Sequence, residues 1–211
     1  MTTATTTPLH DALARTGMIA ILRGVRPTEV DAIGAALYES GFRIIEVPLN
    51  SPQPLDSIAT LRRSLPADCL IGAGTVLQPQ QVDQVASVGG QLIVMPHSDA
   101  AVIGAAKRAG LYCAPGVATV TEAFAALAAG ADVLKMFPAE QLGPSVVKAW
   151  RAVIAPSIAL LPVGGITPQG MAVFRQAGAS GFGLGSALYT PGLSADDVRQ
   201  RAQAFVAAWA A

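Results

Sequence analysis

The chain has 211 residues, 52% hydrophobic and 13% charged, with 14 Lys+Arg balanced by 14 Asp+Glu. That length suits one well-buried domain spanning residues 1–211, and so low a charge fraction implies extensive burial plus an apolar exterior covered by sister subunits. An even charge balance without a basic cluster excludes a nucleic-acid partner and an anionic membrane surface, since both require concentrated cations.

Met1–Thr7 is polar, lacks the cationic start and apolar centre of a signal sequence, and is expected to be flexible. No apolar run reaches the roughly 18 residues of a membrane span, so a cytoplasmic protein that does not enter the membrane is expected. Leu9–Thr16 reads as an extra helix ahead of the first strand. The strand-like run Met18–Arg23 precedes the helical segment Pro27–Ser40, and the runs Arg43–Pro48 and Cys69–Thr75 follow. Next come the helix Pro79–Val88, the run Gln91–Pro96, the helix Asp99–Ala109 and the run Leu111–Pro115. Then follow the helix Thr119–Ala129, the run Val133–Phe137, the helix Pro144–Ile154 and the run Ala159–Val163. The helix Pro168–Ala177, the run Gly181–Gly185 and the helix Leu193–Trp209 complete the chain.

Gly41, Gly89, Gly110, Gly130 and Gly178 each follow a helical segment, where a left-handed C-terminal cap is expected. Their spacing fits a unit of roughly 20–25 residues, the size of a strand plus a helix. The strand runs are apolar throughout, as expected of a parallel sheet buried on both faces. An open doubly wound sheet would carry a glycine-rich dinucleotide loop after the first strand, and Leu22-Arg23-Gly24-Val25 is not one. The expected fold is α/β, a minimal (β/α)8 TIM barrel, with the N-terminal helix closing its floor. Cys69 and Cys113 both lie in apolar segments and read as buried free thiols.

In such a barrel the chemistry sits at the carboxyl ends of the strands, so polar residues inside apolar strands are the informative ones. Lys107 and Lys148 fall on helices; Lys135, in Val133-Leu134-Lys135-Met136-Phe137-Pro138, places an ammonium in a strand. Burial forces a lysine's pKa down, leaving the free amine that a Schiff-base nucleophile needs. Glu46 is the carboxylate that falls in a strand run, Arg43-Ile44-Ile45-Glu46-Val47-Pro48, and is the natural partner of Lys135. From the residues alone the two are either a structural ion pair or a catalytic pair. The seventh strand ends in Val163-Gly164-Gly165 and the eighth in Gly185-Ser186. Phosphate sites of this fold lie after those strands, where glycine lets backbone N–H groups approach an anion. Arg23 and Thr75 end the first and third strands and are candidates to hold a substrate carboxylate; His97, after the fourth, reads as a loop residue. With two histidines in the chain and no cluster of ligand character, neither a metal nor another cofactor is expected. Another phosphate-binding barrel enzyme, such as an isomerase or decarboxylase, and a non-catalytic sugar-phosphate sensor remain the rival readings.

These motifs resemble those of the bacterial 2-keto-3-deoxy-6-phosphogluconate (KDPG) and 2-keto-3-deoxy-6-phosphogalactonate (KDPGal) aldolases, from about Ile19 to about Trp209. The matching segments are Ile19–Gly24, Glu46–Pro52, Ile71–Val76, Leu134–Pro138 and Val163–Gly165. The resemblance implies a metal-free class I aldolase, a homotrimeric lyase of carbohydrate metabolism, with Lys135 forming the Schiff base and Glu46 moving protons. It implies a phosphorylated keto-deoxy sugar acid as substrate, with pyruvate and glyceraldehyde 3-phosphate as products. Asn50 and Val163 stand where gluconate-type members commonly carry arginine and threonine. Both departures resemble the galactonate type, so galactonate degradation is expected, the gluconate epimer being the alternative. Arg23 and Thr75 would then carry more of the carboxylate binding.

Overall fold

The structure is a computed structural model that describes residues 8–210; the flexible segment expected at residues 1–7 lies outside the described residues. Helix α1 (Pro8–Thr16) leads into β1 (Met18–Ile21), α2 (Val30–Glu39), β2 (Ile44–Pro48), α3 (Pro54–Ser64) and β3 (Leu70–Gly74). Then come α4 (Pro79–Ser87), β4 (Leu92–Val94), α5 (Ala100–Arg108), β5 (Tyr112–Ala114), β6 (Gly116–Val117) and α6 (Val120–Ala128). They are followed by β7 (Leu134–Met136), α7 (Ala139–Trp150), β8 (Leu160–Pro162), a short turn of 3-10 helix (Pro168–Gly170), α8 (Met171–Gln176), β9 (Phe182–Leu184) and α9 (Ala195–Ala210).

The glycine punctuation has the conformation expected of it. At the end of α2, Gly41 takes φ 108°, its N–H donates to the Tyr38 carbonyl, and the Phe42 N–H donates to the Leu37 carbonyl. This bond pair satisfies carbonyls that the helix leaves open, and it requires a backbone that side chains with a Cβ resist. The same pair of bonds recurs at Gly89, Gly110, Gly130 and Gly178. Each helix is thereby stopped and turned back toward the next strand.

All strand pairings are parallel, and the order β5-β4-β3-β2-β1-β9 brings the last strand beside the first, so the sheet curls toward its own beginning. A second ladder holds β6-β7-β8. The hydrogen bonding is thus split into two parallel ladders, where the sequence suggests a (β/α)8 barrel. Pro115, which has no N–H, separates β5 from β6 within one extended segment. Between β8 and β9 a single bridge, Val163 to Gly183, stands beside the Ser180 N–H donating to the Leu160 carbonyl.

Period-two alternation sorts the strand residues into two cores. Ile19, Ile44, Leu70, Leu92, Val94, Ala114, Val133, Ala159 and Leu161 cluster on the inner face, sealed at one end by Leu9, Ala12 and Leu13 of α1. Ala20, Ile45, Ile71, Ile93, Leu134 and Leu160 point the other way, into the layer beneath the helices. Counting by two from Ile44 and from Val133 puts Glu46 and Lys135 on the inner face.

Two local features depart from the sequence reading. Helix α3 was unassigned there, although Pro54 opens it and Asp56 lies in its first turn. Helix α7 starts at Ala139, ahead of the expected Pro144, because a non-helical Gly143 (φ 74°, ψ 170°) joins two helical pieces. Arg151, half-buried after α7, donates to the carbonyls of Ala155, Ile158 and Gly178 and to Ser180 Oγ, tying the β8 and β9 entries together. A charged donor serving several carbonyls is costly to remove. Arg151→Met should cost about 2–4 kcal/mol in urea unfolding, and Arg151→Lys should recover little, since one ammonium cannot span the same fork.

Candidate active site

At the carboxyl ends of the strands the inner face opens into a cavity of about 430 Å³, within the usual size range of small-molecule sites. Arg23, Lys135, Val163, Gly164, Gly165, Gly185 and Ser186, all singled out in the sequence, line it. Glu46 and Thr75 do not. Glu46 lies on a small inner void of about 10 Å³ that Ile21, Lys135 and Val163 share with the mouth. That void is about the size of one water molecule. Thr75 meets the site through its hydroxyl, 3.4 Å from Arg23 Nη1.

Lys135 is 6% exposed and Glu46 1% exposed. The Lys135 ammonium sits 4.8 Å from the centre of the Phe137 ring, which offers its negative face. Among the ion pairs of the described residues none joins Lys135 to Glu46. Burial dominates both groups. It pushes the Glu46 carboxyl up to about 7, against the pull of Lys135 and Arg23. It pushes the Lys135 amine down, Glu46 opposing and Arg23 adding to the shift. Glu46 Oε2 has no hydrogen-bond partner, an unusual condition for a fully buried oxygen and one seen at functional sites. The carboxylate rests against Gly74, where a Cβ would overlap Oε2.

The glycine pair after β8 is built for close approach. Gly164 and Gly165 have φ of 107° and 66°, and a Cβ on Gly165 would come 2.7 Å from Glu140 Oε2. Gly185 has nothing within 4 Å of where a Cβ would stand, so the surface beside Ser186 is open. Sequence reasoning missed Asn50, whose Oδ1 accepts from Arg23 Nη1 at 2.6 Å, and Tyr189, whose buried ring lines the cavity while its hydroxyl donates to Glu29. The sequence marks Asn50 only as a departure from the gluconate type; its signal as a site residue is a polar side chain just past a strand end. His97 is exposed and does not line the cavity. Both cysteines are buried free thiols. No group of three or more potential metal ligands occurs among the described residues, and no helix there is long and apolar enough to cross a membrane.

A family model described as KDPG and KHG aldolase matches residues 9–204. A probable 2-dehydro-3-deoxy-6-phosphogalactonate aldolase of Rhizobium meliloti is 52% identical over 91% of this chain and 91% of its own. The 2-dehydro-3-deoxy-6-phosphogalactonate aldolase of Escherichia coli K12 is 48% identical, covering 91% of this chain and 94% of its own. A solved structure described as native KDPGal superposes with a TM-score of 0.90 at 48% identity, over 92% of this chain and 94% of that one.

The buried carboxyl makes stability pH-dependent. Its folded pKa of about 7 exceeds the ordinary 4.5, so its contribution is fully present below about pH 4.5 and is lost as pH rises through about 7. Across that window the wild type should lose on the order of 1–3 kcal/mol relative to Glu46→Gln, measured by urea unfolding at about pH 5 and about pH 8. Equal slopes for the two proteins would mean that Glu46 titrates normally.

Proposed function

The chain belongs to the KDPG and KHG aldolase family, and from that premise we propose that it is a class I aldolase with Lys135 as its Schiff-base nucleophile. Its substrate is 2-dehydro-3-deoxy-6-phosphogalactonate and its products are pyruvate and glyceraldehyde 3-phosphate. The observation that carries this reading is a buried amine on the floor of an open cavity, its pKa lowered and a buried carboxyl behind it.

The Lys135 amine attacks the C2 carbonyl, and the carbinolamine loses water to give an iminium ion. Glu46 takes the C4 hydroxyl proton, through one water where the void intervenes. The C3–C4 bond breaks, its electron pair passing into the iminium to leave an enamine, while the C4 oxygen becomes the aldehyde of glyceraldehyde 3-phosphate. Proton return to C3 and hydrolysis release pyruvate and the free amine. Gly164, Gly165, Gly185 and Ser186 receive the phosphate, and Arg23 the carboxylate, with Thr75 acting through Arg23. Fixing both ends holds the reacting carbons over Lys135.

The finer architecture follows the same reading. We take the two ladders as one closed (β/α)8 ring in a single domain, β5 and β6 counting as one strand; the Val163–Gly183 bridge supports closure. A cytoplasmic homotrimer fits the low charge fraction and the exposed side chains of Leu77, Phe124, Val153 and Val173.

Pyruvate with borohydride should inactivate the enzyme and add a pyruvate-derived mass to the peptide bearing Lys135. Lys135→Arg should take no label, since a guanidinium stays protonated; a label on Lys107 or Lys148 would refute the assignment. Epimer choice tests Val163, which lacks the hydroxyl of threonine at nearly the same shape. Wild type should favour the galactonate epimer, and Val163→Thr should move the kcat/KM ratio toward the gluconate epimer by roughly 5- to 100-fold. An unmoved ratio sinks the argument from Val163 and leaves the aldolase reading standing.

A further inference from the structure

Arg23 lines the mouth beside Lys135, and its charge reaches both buried groups of the site. It is ion-paired with none of the described carboxylates. Its Nη1 instead donates to two neutral acceptors, Asn50 Oδ1 at 2.6 Å and Thr75 Oγ1 at 3.4 Å. Among the described residues its Nε and Nη2 have no acceptor, so the guanidinium is gripped by one edge while other donors remain for a ligand. Asn50 does not itself line the cavity. It follows β2, the strand that carries Glu46, while Thr75 follows β3 in a left-handed conformation (φ 56°) that a β-branched residue rarely takes.

We infer that Asn50 is a positioning residue for substrate selection: it holds Arg23 by one edge so that the rest of the guanidinium meets the C1 carboxylate of a 2-keto acid bound at Lys135. This rests on the Schiff-base reading above. An arginine held in place loses less side-chain freedom when the anion arrives, and the gain appears as affinity. The chemistry of residue 50 matters as much as its reach. An amide oxygen anchors the guanidinium without cancelling its charge, whereas a carboxylate there would occupy the site's own cation. An aliphatic side chain would leave a long, exposed arginine to wander.

The test is the pyruvate dependence of borohydride trapping, with acetone, a ketone that has no carboxylate, as the control reaction. Asn50→Leu should raise half-saturating pyruvate about five- to twentyfold while the rate at saturation stays near wild type. Asn50→Asp should raise it further, because the new carboxylate pairs with Arg23. Acetone trapping should be the same in wild type and Asn50→Leu. In an Arg23→Leu background the Asn50 change should add nothing. A wild-type pyruvate dependence in Asn50→Leu, or a parallel loss with acetone, overturns the proposal, the second outcome meaning a merely structural role. Absence of any label on the wild type would fell the Schiff-base reading itself, and the Asn50 proposal with it.

Discussion

Desolvation of Lys135 and Glu46 is the constraint around which the other parts of the molecule are arranged. Placing an ammonium and a carboxylate inside a sheet costs several kcal/mol per ion unless contacts or neutralisation offset it. Here the two groups share an inner face without touching, so each relaxes toward its neutral form instead of locking into an ion pair. A direct ion pair would have secured the fold better and left the amine protonated. On the proposed reading the separation leaves the amine free to react, and the surrounding apolar core must offset the cost. Hence the unbroken burial of strands β2 and β3, and a helix, α1, spent on sealing the far end of the inner core.

Room for those groups comes from side chains that are missing. Gly74 lets the Glu46 carboxylate lie against the backbone, and at Gly183 a Cβ would meet Val163 Cγ2 at 2.6 Å. In an interior packed like an organic crystal, a methyl at either place must displace something. The displaced group at Gly74 would be the carboxylate itself. Thr75, immediately after it, holds its left-handed backbone beside Arg23, so one short segment sets both the seat of the acid and the grip on the cation. Strain of that kind persists where neighbouring structure over-determines it.

The parts of this arrangement that were legible in the sequence are those that break a strong local rule. Lys135 and Glu46 stand out because an apolar strand run tolerates few charges, and the glycine stops stand out because a left-handed cap tolerates little else. Period two pairs Glu46 with Ile44 and Lys135 with Val133, but only the structure shows that those two residues share the inner face. What stayed hidden obeys no local rule. Arg151 looks like any arginine after a helix, and only the meeting of two distant strand entries gives it its carbonyls. Thr75 lies one residue past its strand, and its left-handed backbone and its contact with Arg23 instead of the cavity follow no sequence rule. Helix α3 is weakly marked because Leu55, Ile58 and Leu61 are its few large apolar residues, and its buried face is narrow.

The same geometry says where discrimination between substrates has to occur. In the proposed binding mode, phosphate at the glycine turns and carboxylate at Arg23 fix the two ends of a keto-deoxy sugar acid, and both ends are common to epimers at C4. Interactions shared by two substrates cannot separate them; only contacts to the inverted carbon can. Ile21, Lys135 and Val163 border both the open mouth and the inner void that leads to Glu46. With Lys135 assigned to C2 in the proposed mechanism, Val163 is the position on that wall where threonine would bring a hydroxyl at nearly the same shape. A valine presents hydrocarbon to whichever oxygen faces it and disfavours the epimer that turns a hydroxyl that way, because the group would be desolvated without a partner. In the proposed mechanism a choice placed on the wall between Glu46 and the reacting carbon would act in the bond-breaking step as well as in binding, where a difference in transition-state contacts is expressed as rate.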